Sequence, residues 1–156
     1  MSRSMRSAGL AIVATLITSA AATFPAPNDA CSLLTKEDAA TALGEAASGP
    51  KETGPMSAGA GGTVSACEYT GSGIHLIQLN LTRLAASSVP IYKGICARKG
   101  TDGLAGLGDV ACWYNAEHEE LHAIKGTAFV SIKLQRSGNP TEPIKAVMKK
   151  ALAKLK

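Results

Sequence analysis

The sequence predicts an α+β domain in which an antiparallel sheet of about five strands carries a short N-terminal helix and a C-terminal amphipathic helix packed on one face. Short stretches alternating apolar and polar residues recur between turn residues, and residues 140–155 repeat apolar side chains three and four apart. All four cysteines, Cys31, Cys67, Cys96 and Cys112, lie beyond an N-terminal leader.

The leader comes first. Arg3 and Arg6 precede an apolar run, 8–22, that closes on Ser19, Ala20, Ala21 and Ala22, the pattern of a secretory signal peptide over residues 1–22. A run of about 15 residues, diluted by Thr15, Thr18 and Ser19, is shorter than the roughly 20 a spanning helix needs, so no stable membrane insertion is expected after cleavage. Cleavage after Ala22 starts the mature chain at Thr23, and Cys31 lies too far beyond the cut to be a lipidated N-terminal residue. Residues 23–156, about 134 of them, suffice for one secreted domain with one core. The expected location is periplasmic or secreted.

Thr35-Lys36-Glu37-Asp38 resembles a capping box, predicting a helix that runs to Leu43 and stops at Gly44. Residues 48–65 are rich in Gly, Ala, Ser, Pro and Thr without apolar period, and predict a flexible loop. Residues 66–70 and 74–84 flank the turn Gly71-Ser72-Gly73 as a hairpin in which Ile77, Leu79 and Leu81 alternate with Gln78, Asn80 and Thr82. Residues 88–99 can form a short helix with Pro90 in its first turn, and 100–109 form a glycine-dense loop into a strand at 110–114. Residues 121–124 and 127–135 flank Lys125-Gly126 as a second hairpin. Asn139 and Pro140 can begin the last helix, with Ile144, Val147, Met148, Ala151, Leu152 and Leu155 on its apolar face.

Composition narrows the partners. The chain has 16 basic and 12 acidic residues, net +4; removing Arg3 and Arg6 leaves 14 basic, net +2. The excess is local, on Lys145, Lys149, Lys150, Lys154 and Lys156, and reads as a solvated helix face with cations at its C-terminal end. No nucleic-acid partner is expected. The four cysteines predict two disulfides in an oxidising compartment. Three pairings are open; Cys31 with Cys67 and Cys96 with Cys112 is favoured because each bridge then closes a local loop around a flexible stretch. Without a C-x-x-C knuckle, these thiols predict no zinc site.

His118-Glu119-Glu120-Leu121-His122 matches H-E-x-x-H, whose two histidines meet one zinc only if a helix brings them onto one face; Glu142 would be the candidate third ligand. The flanking residues predict a strand, in which four residues span roughly 13 Å, against the 4 Å or so between two ligands of one zinc. A solvated hairpin is therefore expected, with no metal and no cofactor. Gly103-Leu104-Ala105-Gly106-Leu107-Gly108 reverses the dinucleotide fingerprint and leads into a strand, so it predicts a turn-forming loop. Asn80-Leu81-Thr82 is a formal sequon inside a strand, and His75 reads as a lone exposed histidine. Of the neighbours Trp113 and Tyr114, one should face the core and the other outward, where it could form part of a recognition surface.

Cys31-Ser32-Leu33-Leu34-Thr35-Lys36-Glu37-Asp38 with Leu43-Gly44, then Cys67-Glu68-Tyr69, then Gly106-Leu107-Gly108-Asp109-Val110-Ala111-Cys112-Trp113 resembles small secreted bacterial envelope domains of unknown function. In those the pattern runs C-x-L-L-T-x-x-E or D, C-x-Y, then G-L-G-D-x-A-x-W, and many are lipoproteins. The similarity covers most of the mature chain. It implies an α+β envelope domain with the first two motif cysteines paired, and carries no activity, ligand or catalytic residue. This chain departs from the lipoproteins in lacking a lipidated cysteine, and Cys96 with Cys112 looks like an added bridge. The functional expectation is a non-enzymatic periplasmic or secreted accessory domain that binds a protein or an envelope component. A zinc-dependent hydrolase using the H-E-x-x-H stretch and a small-ligand periplasmic carrier are the alternatives.

Overall fold

Thr35 leads into the helix in an extended conformation, accepts the Asp38 N–H at 3.1 Å and donates its hydroxyl to Asp38 Oδ2 at 3.0 Å, so helix α1 (Lys36–Leu43) starts where the capping residues require. It stops at Gly44, whose φ of 76° lets its N–H reach the Ala40 carbonyl at 2.9 Å. These elements belong to a computed structural model that describes residues 29–59, 62–98 and 101–156. The signal peptide expected at 1–22 lies outside the described residues.

After α1 the chain forms β1 (Ser48–Ser57), β2 (Thr63–Thr70) and β3 (Leu76–Arg83), a short helix α2 (Val89–Lys93) between two 3₁₀ turns, then β4 (Asp102–Leu104), β5 (Val110–Trp113), β6 (Glu120–Lys125), β7 (Ala128–Gln135) and helix α3 (Thr141–Lys154). The strands make one sheet in the order β1-β2-β3-β7-β6-β5-β4, every neighbouring pair antiparallel. Two meanders therefore meet where β3 pairs with β7.

The sheet has seven strands, where about five were expected. The first addition, β1, occupies most of the stretch expected as a loop at 48–65, and β2 begins inside it as well. All ten residues of β1 are exposed, so no apolar alternation marked it in the sequence. It is held by backbone pairing to β2, with register shifts between Ser48 and Lys51 and between Thr53 and Met56. Pro50 and Pro55, which lack an N–H, fall inside those irregular steps. The second addition, β4, falls inside the stretch expected as a glycine-dense loop at 100–109; it has three residues, too few to show a period, and pairs Asp102 with Trp113.

One sheet face is apolar. Ile77, Leu79 and Leu81 of β3 lie opposite Leu134, Ile132 and Val130 of β7, and Leu121 and Ala123 of β6 continue those rows. Against this face pack Ala39, Ala42 and Leu43 of α1 and Ile144, Val147, Met148, Ala151 and Leu152 of α3, all buried. Both helices thus cover the same face, linked to each other by Lys150 Nζ at 2.6 Å from Asp38 Oδ1. On the other face, among the described residues, the 3₁₀ turns and α2 cover one corner, where Val89, Tyr92 and Ile95 pack on Leu84, Ile124 and Phe129.

The cysteines pair as favoured, Cys31 with Cys67 and Cys96 with Cys112. The first bridge ties the turn before α1 to β2, and the second pins the segment after α2 to β5. The glycine-dense loop is structural: Gly108 has a φ of 63°, the Asp109 N–H donates to Ile124 O at 2.7 Å, and Asp109 Oδ2 accepts the Gly126 N–H at 2.8 Å. It clamps the β6–β7 turn. Among the described residues no helix is long and apolar enough to cross a membrane.

Candidate functional site

The H-E-x-x-H stretch does not form a helix. His122 lies within β6, whereas His118 lies in the turn before it at a φ of 56°. The His118 ring stacks on Trp113 with centroids 4.8 Å apart, and its Nε2 is 3.3 Å from Asp102 Oδ2. The His122 ring stacks on Tyr114 at 4.6 Å, meets Phe129 edge-on at 5.1 Å and places Nε2 2.7 Å from Glu120 Oε1. That contact holds the Glu120 carboxyl below its ordinary range against the opposing effect of burial. Glu142 pairs instead with Lys145 at 2.7 Å. Among the described residues no three His, Cys, Asp or Glu side chains gather as a metal site.

Trp113 is buried at 3% exposure, while Tyr114, one residue past β5, is 48% exposed. Stacking on the buried His122 fixes the outward ring. Beside it, Glu120, Lys133, Gln78 and Glu68 stand in one row across four strands on the face the helices leave open. Three of the α3 lysines have partners within the chain: Lys145 on Glu142, Lys150 on Asp38 and Lys154 on Leu33 O at 3.1 Å.

A second cluster was not visible in the sequence. His75 is not a lone exposed histidine: its Nδ1 lies 2.6 Å from Glu45 Oε1, and its Nε2 lies 3.1 Å from both the Oγ and the backbone N of Ser137. Since the Ser137 N–H donates to Nε2, that nitrogen is the acceptor in the neutral ring, and Nδ1–H donates to Glu45. Ser72 completes the carboxylate's shell, its N–H donating at 3.0 Å and its hydroxyl at 2.6 Å. The Ser72 hydroxyl, the His75 ring and the Ser72 N–H together hold the Glu45 carboxyl down at about 2.

Local structure explains the placement. The Gly44 stop delivers Glu45 next to the β2–β3 turn, which the His75 N–H closes onto Ser72 O at 3.0 Å. Arg136 holds the other side, with Nη1 donating to Ala42 O at 2.6 Å and Nε to Ser137 O at 3.1 Å. Glu45 and Ser137 lie 30 and 62 residues from His75 in the chain, so no local motif could announce the set. His75 and Ser137, with Ile74, Glu119, Gln135 and Arg136, line an open cleft of about 170 Å³. Compared with protein-family models, curated proteins and solved structures, the chain finds no significant match in any of the three.

Proposed function

We propose that this protein is an exported accessory domain, of the envelope-domain kind its short motifs resemble, that binds a protein or an envelope component through its open sheet face. The observation that carries this reading is Tyr114, half exposed yet held flat on the buried His122 beside the row Glu120, Lys133, Gln78 and Glu68. An aromatic ring already fixed in place loses little freedom on binding, which is why such residues anchor interfaces. Two disulfides support an oxidising, periplasmic or secreted location. The role is one of binding, without catalysis at the H-E-x-x-H stretch, whose histidines face separate partners.

Capture from envelope extract tests it. The oxidised protein should retain a specific component that Tyr114→Ala and Lys133→Glu release, while both variants keep the wild-type melting temperature within a few degrees. Repeated capture of nothing specific, or of a component indifferent to both substitutions, removes the reading. N-terminal sequencing of the exported protein should begin at Thr23.

A further inference from the structure

We propose that Glu45, His75 and Ser137 form an acyl-transfer site that hydrolyses small carboxylic esters, with Ser137 as nucleophile, His75 as general base and Glu45 as the residue that orients the base. Three features carry it. The order of contacts, carboxylate to Nδ1 at 2.6 Å and Nε2 to hydroxyl at 3.1 Å, is the one a serine nucleophile requires. The tautomer is fixed the right way round, because Glu45 receives the Nδ1 proton and leaves the Nε2 lone pair toward the serine. Ser137 is exposed, so a substrate can reach the hydroxyl that His75 touches.

In the reaction, Ser137 Oγ forms a bond to the ester carbonyl carbon as its proton passes to His75 Nε2. The bond from that carbon to the alkoxy oxygen breaks, and the alcohol leaves with the proton. Water then attacks the acyl carbon, again giving a proton to Nε2; the bond from that carbon to Ser137 Oγ breaks, the acid is released, and the proton passes from Nε2 to Oγ. Ester and water become acid and alcohol, with no oxidant or co-reactant. Whenever Nε2 holds the transferred proton, the imidazolium faces the Glu45 carboxylate, which stays charged because Ser72 and His75 surround it.

The site also limits its substrates. In the free protein the Ser137 N–H shares the Nε2 lone pair with the hydroxyl, so the base is partly engaged until a substrate draws that N–H toward its own carbonyl oxygen. The open cleft beside Ser137, about 170 Å³, leaves room for a small acyl group. The expected activity is therefore modest and confined to short, activated esters; base catalysis of this kind is worth roughly 10²- to 10⁴-fold.

The test uses the oxidised protein with a fluorophosphonate probe and p-nitrophenyl acetate. Intact mass and peptide mapping should find one phosphonyl adduct on Ser137, formed faster as pH rises and lost in Ser137→Ala. His75→Gln should slow both labelling and acetate release by about 100-fold. Glu45→Gln should slow both and change the pH profile, as expected of a positioning residue. Melting temperatures identify any variant that has unfolded, and Ser137→Ala, on the surface, serves as the folded reference. If the cluster is only a clamp between α1, the β2–β3 turn and the end of β7, Ser137 gains no adduct, or folded His75→Gln labels as fast as the wild type; either result overturns the proposal.

Discussion

Gly108→Ala, set against Gly106→Ala, separates two reasons for a glycine. Both residues have positive φ, 63° and 81°, so an added Cβ strains either backbone by roughly 1–2 kcal/mol. At Gly106 the Cβ would meet nothing within 4 Å. At Gly108 it would lie 2.3 Å from the Ile124 carbonyl oxygen and 3.1 Å from the carbonyl carbon, both backbone atoms. The chain must move there, at an overpacking cost of about 1–3 kcal/mol. The Asp109 N–H bond to that same oxygen, 2.7 Å, is disturbed, adding about 1 kcal/mol. Gly108→Ala should therefore lower stability by roughly 3–6 kcal/mol, or about 10–20 °C in melting temperature, against about 1–2 kcal/mol for Gly106→Ala. Urea unfolding of the oxidised protein measures both. Equal losses would show that the Gly108 approach to Ile124 is not what the loop requires.

The bridges should differ in weight: by loop length, Cys31→Ala with Cys67→Ala should cost about 4 kcal/mol and Cys96→Ala with Cys112→Ala about 3 kcal/mol, read from urea midpoints, and a larger loss for the second pair would refute the ordering. Because the Glu45 carboxyl is lowered to about 2 from an ordinary 4.5, the stability it contributes is complete above pH 4.5 and is lost as pH falls toward 2. Glu45→Gln should accordingly flatten the acid limb of a stability–pH curve and leave its neutral shape alone; an unchanged acid limb would count against the carboxylate shell. Lys125 donates to Leu152 O at 3.0 Å and Leu155 O at 2.7 Å, closing the end of α3, so Lys125→Met should lower stability by about 2 kcal/mol in the same unfolding assay. Equimolar zinc should leave the melting temperature unmoved; a rise that His118→Ala abolishes would mean that β6 is not the strand described.

Sequence reasoning reached elements whose signal is local and repeated. Thr35 and Gly44 mark α1 by capping chemistry, and Ile144, Val147, Met148 and Ala151 mark α3 by period. β3 showed itself as alternation because Ile77, Leu79 and Leu81 are buried and the polar Gln78 and Asn80 between them are only partly so, whereas β7 is buried on both faces from Ala128 to Ile132 and alternates in exposure only beyond that. β1 was hidden for the opposite reason: exposed on both faces and, apart from Met56, composed of Gly, Pro, Ser, Thr, Lys and Glu, it is a strand only because β2 offers it hydrogen bonds. Strand alternation called for one of Trp113 and Tyr114 inward and the other outward without saying which; Trp113 is the buried one, and Tyr114 stands just beyond the strand. The Glu45, His75 and Ser137 cluster was beyond reach because three separate turns bring it together, and its only sequence trace is that each residue adjoins a helix end or turn.

The meeting of β3 with β7 fixes when the domain can close. The strand at the centre of the sheet is among the last segments to be synthesised, and α3, which covers it, is later still. Until residues 128–135 arrive, β3 is a bare edge, and Ile77, Leu79 and Leu81 lack their partners Leu134, Ile132 and Val130. Such distant pairings form slowly, because a long loop must close before they yield any contact. A chain cut short before β7 would therefore leave two meanders, each with an apolar edge exposed, instead of a smaller version of the domain. Closure of the core therefore waits until β7 and α3 have both emerged.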